Sequence, residues 1–379
     1  MQFPSHSRMP MLSLRLVTRV GVAFLAVAMW VDVSRAEPYL AVRNGFKCSQ
    51  CHVNRTGGGK RTDFGFIFTQ TALPVWKPKP EASGLLGKLR SPMQNEFVSF
   101  GANFRLNSRL IFLDDPPNFF GFDVSEGNLY VEAKFGDSLS FYIDENVAPG
   151  PASSREAFGL VSLPANGYLK FGRMLLPYGF RLLDDNAFIR EVTGFTYANQ
   201  DLGIEFGMEP GPLSFVVALS NGTQGASESN RSKQISSVVQ GVYRDFRVGS
   251  SFSWNDGPNA NRMAAGAFGG FNLGRFTALL EFDYIRDRDE TLGTQVEQLL
   301  SYGELDFLVK RGLNLKFVWE IHDPDKDLTE NHRDRFTFGV EAFPLPFTQI
   351  SLFYYLRRDI PQKPFDDDDT LLLQFHFFF

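Results

Sequence analysis

Cysteine is almost missing from this chain: its 379 residues hold two, Cys48 and Cys51. That is too few for a disulfide-stapled scaffold. No large basic block occurs either, and the formal net charge is −5, which argues against nucleic acid as a partner. Beyond residue 36 there is no apolar run long enough for a membrane-spanning helix. What is plentiful is phenylalanine, at 40 residues, and glycine, at 34. An aromatic- and glycine-rich chain of this kind, if exported, is either a secreted β-sandwich or an outer-membrane β-barrel.

The N-terminus supplies the export signal. Arg8, Arg15 and Arg19 form a positive region, residues 20–31 are apolar, and Ser34-Arg35-Ala36 offers small residues at alternate positions for a signal peptidase. Asp32 interrupts the apolar stretch, which is too short for a comfortable transmembrane helix. Cleavage after Ala36 starts the mature chain at Glu37.

The two cysteines then acquire a meaning. Cys48-Ser49-Gln50-Cys51-His52 is a CxxCH run, which in an exported protein reads as covalent attachment of a c-type haem. Two thiols three positions apart each form a thioether to one vinyl group of the same porphyrin. The adjacent His52 is the proximal iron ligand. A small-loop disulfide or a redox CxxC pair is the alternative, but a redox pair needs a βαβ context and no histidine. For the second axial position the candidates are Met93 and His376, the latter with lumen-facing parity on the last strand. Arg43, Lys47, Arg55, Lys60 and Arg61 surround the motif as partners for haem propionates or as plain solvated charges.

From about residue 96 the chain is one strand after another. In 275–286, Phe276, Ala278, Leu280, Phe282 and Tyr284 share one face, with Thr277, Glu281 and Asp283 on the other. In 313–322, Leu313, Leu315, Phe317, Trp319 and Ile321 alternate with Asn314, Lys316, Glu320 and His322. Segments 129–135 and 335–342 behave alike. Alternation over about ten residues with charge on one face marks a transmembrane barrel strand. By this parity Leu280 and Phe317 face lipid, whereas Thr277 and Lys316 face the lumen.

Short turns fall at 136–137, 164–167, 209–211, 245, 273–274, 311–312 and 344–346. Longer polar connections fall at 114–128, 147–155, 175–200, 223–232, 287–297, 323–332 and 359–369. Barrels of this class have short periplasmic turns and long extracellular loops. With 97–113 read as one long strand, the count is about sixteen, with both termini periplasmic. The final strand ends on an aromatic: Leu371, Leu373, Phe375, Phe377 and Phe379 alternate outward. The predicted fold is therefore all-β, an outer-membrane antiparallel β-barrel of about sixteen strands with a short N-terminal monohaem c-type cytochrome segment. Its units are a signal peptide at 1–36, the cytochrome segment and linker at 37–80, and the barrel at 81–379. Pro74, Pro78 and Pro80 stiffen the linker.

Two resemblances extend this reading. Leu169-Lys170-Phe171-Gly172-Arg173-Met174-Leu175-Leu176-Pro177-Tyr178-Gly179-Phe180, with Phe188-Ile189-Arg190-Glu191 after it, resembles the corresponding stretch of phosphate-selective porins. So does Asp201-Leu202-Gly203-Ile204-Glu205-Phe206 running on to Leu219-Ser220-Asn221-Gly222. That resemblance implies a barrel whose third loop, here 175–200, folds into the lumen, and a homotrimer as the assembly. The order of signal peptide, Asn44-Gly45-Phe46, CxxCH, Phe64-Gly65 and barrel is similar to the fused monohaem cytochrome–porins known mainly as outer-membrane iron(II) oxidases. The glycine-rich basic tail Asn54-Arg55-Thr56-Gly57-Gly58-Gly59-Lys60-Arg61 departs from that pattern, which leaves the electron donor open.

The function implied is an outer-membrane electron conduit. One covalent haem c on Cys48, Cys51 and His52 passes electrons between extracellular Fe(II), or another donor, and a periplasmic c-type cytochrome. The alternatives are an anion-selective porin whose haem segment is a plug, sensor or staple, and a conduit running electrons outward. Asp366-Asp367-Asp368-Asp369 and the loop with His322, Asp323, Asp325 and His332 carry groups that suit iron(II), although any wet extracellular loop carries the same groups.

Overall fold

The computed structural model describes residues 37–76, 97–112, 118–228, 230–360 and 368–379. The expected signal peptide at 1–36, linker residues 77–80, Met93, Asp366 and Asp367 lie outside the described residues. Sixteen strands, each antiparallel to its sequence neighbours, close into one barrel. The first eight are β1 (Val98–Phe112), β2 (Phe119–Phe135), β3 (Leu139–Ala148), β4 (Ser153–Leu163), β5 (Gly167–Leu175), β6 (Gln200–Met208), β7 (Leu213–Ser220) and β8 (Gln234–Tyr243). Then follow β9 (Phe246–Asp256), β10 (Ala260–Leu273), β11 (Phe276–Asp289), β12 (Thr294–Lys310), β13 (Leu313–Asp323), β14 (Arg333–Ala342), β15 (Thr348–Arg358) and β16 (Asp368–Phe378). The ring closes where β1 meets β16, in register from Asn103↔Phe378 to Phe112↔Asp369. Closure removes the sheet edge, so every strand can pair its backbone groups without water.

Parity decides which face each side chain takes, and the expected faces are observed. On β11, Leu280 and Phe282 are exposed outward while Thr277, Glu281 and Asp283 are buried inward. On β13, Leu315 and Phe317 face out, and Asn314, Lys316, Glu320 and His322 face in. Phe100, Phe104, Phe141, Phe338 and Phe375 extend the outer apolar band around the ring. Apolar surface on that scale belongs against lipid. No helix among the described residues is long and apolar enough to cross a membrane; the strands do so instead.

The expected contrast between short turns and long polar connections does not hold in full. On the long-loop side, the connections at 149–152, 257–259 and 290–293 are as short as the turns opposite. Pairing simply continues past the apolar band. The residues Arg286, Asp287, Arg288 and Asp289 remain in register with 294–297, and β2 already starts at Phe119. The turn at 257–259 adds a further short connection, with Asp256-Gly257-Pro258 as its turn signal.

Two segments fill the lumen. Loop 176–199 turns inward as expected and is pinned to the far wall. There, Phe180 N–H donates to Glu281 Oε2 at 2.7 Å, Tyr178 O–H to Asp283 Oδ1 at 2.8 Å and Phe188 N–H to Glu320 Oε1 at 2.8 Å. Residues 37–76 form a helical plug made of α1 (Pro38–Asn44), α2 (Cys48–Cys51) and α3 (Asp63–Thr71). Tyr39, Leu40, Val42 and Leu73 of the plug join the same buried cluster as Phe180, Phe188 and Ile189 of the loop. A segment of about forty residues cannot build its own core. It uses the barrel wall as the missing half.

The lumen at Thr277 is therefore not open water. Its hydroxyl accepts from Arg43 Nε at 3.0 Å, and Lys316 pairs with Glu304 at 2.8 Å and with Glu37 of the plug. Arginine at either position would therefore also perturb contacts to the plug. The lumen-facing comparison is better made at Ile111, which faces the open chamber described below. Leu280→Arg should cost about 2–4 kcal/mol near the bilayer midplane, and Ile111→Arg far less. Reversible unfolding in detergent or lipid measures both, and equal losses would mean the outward face of β11 is misassigned.

Candidate functional site

The plug is built from short elements with explicit stops. Pro38 starts α1, and Gly45, at φ +64°, ends it in the left-handed region. Gln50 Oε1 accepts from Lys47 N–H at 2.8 Å, which fixes the start of the single turn α2. Thr62 caps α3 by accepting from Gly65 N–H at 3.1 Å, and its own hydroxyl donates to the Gln50 carbonyl. Gly65 is required for close approach, since a β-carbon there would collide with the Cys51 carbonyl. The CxxCH turn is thereby clamped against α3.

Polar ties fix the plug to the wall. Arg43 Nη1 donates to Asn314 Oδ1 at 2.8 Å, and Lys60 Nζ meets Glu132 Oε2 at 3.2 Å. The buried Asn54 donates to Glu156 Oε1 at 2.8 Å and accepts from Lys170 Nζ at 3.2 Å. Lys170 in turn pairs with Glu205 at 2.9 Å. On the short-turn side, Ser49 O–H donates to Glu209 Oε2 at 2.6 Å, Lys47 Nζ reaches the Leu213 carbonyl at 2.7 Å, and the Phe66 ring lies 4.7 Å from Phe347. The motif thus sits inside the barrel at its short-turn mouth, the periplasmic end in barrels of this class.

Cys48 and Cys51 are free thiols, both half-buried. Burial pushes the Cys51 thiol up to about 11. Burial, reinforced by the neighbouring Arg61 guanidinium, pulls the His52 imidazole down to about 3. His52 is therefore held neutral, the form in which imidazole binds iron. Its Nδ1 is buried with no hydrogen-bond partner, a costly state for a polar atom that no ligand engages. All three side chains line one cavity of about 150 Å³.

Its lining includes the apolar side chains Leu40, Phe46, Phe68, Phe180, Val238 and Phe268 and the cations Arg61, Arg105, Arg155 and Arg181. That donor set and that lining suit a haem, which combines a flat apolar body, two thioether positions, an iron and an anionic edge. On the other side, a chamber of about 1020 Å³ runs up to Arg109, Arg357 and Asp368 at the long-loop mouth. The two spaces share Glu37, Arg105, Glu126, Arg155, Leu183 and Tyr197 as lining. The motif's cavity therefore shares part of its wall with the outward vestibule.

The structure sorts the remaining candidates. His376 points inward as its parity requires and lines the cavity, but Nδ1 is bonded to Gln349 Oε1 at 2.7 Å and Nε2 to Asn103 Oδ1. Ligating iron would cost it one of those bonds. Among the basic residues near the motif, Arg43, Lys47 and Lys60 are committed to the barrel as described. Arg55 lies over the Tyr168 ring at 5.5 Å, leaving Arg61 over Phe378 at 4.1 Å. His322 is held by Gln298 at 2.8 Å and by Arg333, and His332 lies 3.6 Å from Asp334. Among the described residues no group of three His, Cys, Asp or Glu side chains is placed to hold a metal ion. Asp368 and Asp369 face Arg357 and Arg358. Sequence reasoning missed Arg181 and Tyr197, which reach the cavity from the infolded loop.

No family profile matches the chain, and no curated protein matches it in sequence. The fold does have relatives among solved structures. An anion-selective porin from Comamonas acidovorans is similar with a TM-score of 0.60 at 11% identity, covering 74% of this chain and 99% of that one. OmpT of Vibrio cholerae in its trimer form gives 0.59 at 11%, covering 75% and 100%. The outer-membrane channel DcaP of Acinetobacter baumannii gives 0.54 at 10%, covering 74% and 97%. Identities this low establish a porin-like barrel and nothing finer.

Proposed function

We propose that this chain is an outer-membrane electron conduit: a porin-like barrel, plugged by residues 37–76, that carries one covalent haem c on Cys48 and Cys51 with His52 as proximal ligand. The observation that carries the reading is the position of the CxxCH turn. It lies inside the lumen, between the short-turn mouth and a cavity that shares its wall with the outward vestibule. A bound haem would supply a one-electron carrier at that point. The chain's own residues do the rest. Cys48 and Cys51 fix the group covalently, and buried His52 presents a neutral nitrogen. The plug, tied down by Asn54, Lys60 and Arg43, blocks a water-filled path around it. The donor we favour is extracellular Fe(II), the acceptor a periplasmic c-type cytochrome, and the assembly a homotrimer.

In oriented proteoliposomes, iron(II) confined to the long-loop side should convert the oxidised c-haem spectrum to the reduced one. His52→Ala should strongly slow this while the barrel still assembles, because it removes an iron ligand and no strand. A second reading, an anion-selective porin with a structural haem plug, draws on the arginines Arg105 and Arg155 at the shared wall and on the likeness to an anion-selective porin. If external donors leave the spectrum oxidised while small anions permeate, that reading replaces the first.

A further inference from the structure

The charges lining the motif's cavity do not balance. Seven cationic side chains, Lys47, Arg55, Arg61, Arg105, Arg155, Arg181 and Arg247, face three carboxylates, Glu37, Glu126 and Glu209. Each carboxylate is engaged. Glu37 holds Lys316, Glu209 accepts from Ser49, and Glu126 lies between Arg105, at 2.8 Å, and Arg155. Lys47 and Arg247 are spent on the Leu213 and Phe46 carbonyls. Arg181 reaches Thr56 Oγ1 at 3.3 Å and the Leu176 carbonyl at 3.0 Å through Nη2 alone; its buried Nε and Nη1 have no partner. Arg61 rests on the Phe378 ring instead of a carboxylate. Both flank His52: Arg61 pairs with it across an isolated β-bridge, and Arg181 packs against Gly58 of the same turn.

We infer that Arg61 and Arg181 form a two-cation clamp for a pair of carboxylates beside His52, namely the propionates of a haem held by Cys48 and Cys51. The inference rests on the proposed haem and assigns it an orientation, propionate edge toward Arg61 and Arg181. It also gives loop 176–199 a task. Arg181 belongs to that loop and Arg61 to the plug, so the clamp fastens the constriction to the plug through the cofactor. Guanidinium is suited to this, because it remains charged when buried and meets a carboxylate through two parallel N–H bonds. A free permeating anion such as phosphate offers the same chemistry and is the competing source.

The test uses full-length holoprotein purified in detergent, with Arg61→Gln, Arg181→Gln, Arg181→Lys and the double glutamine variant. Covalent haem per chain should equal the parent's in all of them, since the thioethers do not depend on the clamp. Removing a nearby cation favours the oxidised iron. Each glutamine should shift the reduction equilibrium by roughly tenfold, about 59 mV downward for one electron. The double variant should fall further, and Arg181→Lys should recover most of the single loss. An unchanged potential at full haem content overturns the clamp while leaving the haem intact. Phosphate block of the parent's conductance that is lost in the variants, with no change in potential, assigns the pair to a permeating anion and overturns it as well. Parent protein without covalent haem overturns the proposed function itself.

Discussion

Replacing Cys48 and Cys51 together by alanine is expected to leave a barrel that folds and inserts but carries no covalent haem. On denaturing electrophoresis the parent should keep haem peroxidase staining at its own mass, and the double variant should lose it completely. The expectation is all-or-none because these are the only two cysteines in the chain. The barrel should survive because no strand contains either residue, and the plug retains its ties through Asn54, Lys60 and Arg43. Heat-modifiable migration before boiling checks assembly on the same gel. Staining that persists in the double variant would remove the basis for the conduit.

The second large effect concerns the plug. Deleting residues 37–76 should raise single-channel conductance several-fold. The segment occupies the lumen at the short-turn mouth, where Phe66 packs on Phe347 and Val75 N–H donates to the Phe343 carbonyl at 3.4 Å. Deletion would expose Glu132, Glu156, Lys170 and Lys316 to water. These are buried polar groups whose cost of burial is then relieved by hydration, so the wall should tolerate it. A sixteen-stranded ring is wide enough to leave an aqueous channel once emptied. Planar-bilayer recordings of parent and deletion measure the ratio, and equal conductance would show that ions pass beside the plug.

The barrel was legible because its signal is repeated on every strand. Each lipid-facing position must be apolar and each strand spans the same band, so β11 and β13 declare their parity without help from their neighbours. The closing strand was readable for the same reason, from Leu371 to Phe379. The outward connections were less so: polarity at 287–297 marks exposure to water, and a strand that continues into water looks the same as a loop. The motif named its own three residues, Cys48, Cys51 and His52, through fixed spacing. Its surroundings had no such signal. Arg181 lies far from His52 in sequence, and nothing in a row of charged lumen residues says which of them an infolded loop will meet. Among the basic residues near the motif, only tertiary contacts separate Lys60, held by Glu132, from Arg61, which faces the cavity.

The seam where the ring closes carries a further consequence. Phe378 pairs with Asn103 across that seam and also supports Arg61 of the plug, while Ala102 and Phe379 exchange backbone hydrogen bonds beside it. Phe378 and Phe379 therefore complete the wall and support the plug at one place. Glu37 and Arg43, among the first residues of the described plug, are held by Lys316, Thr277 and Asn314 from the second half of the chain. The plug can therefore take its final seat only once β11 and β13 are in place. In the folded protein both thiols are half-buried inside the wall, which restricts access to them once the plug is seated. The haem we propose would then be attached first and the plug seated second.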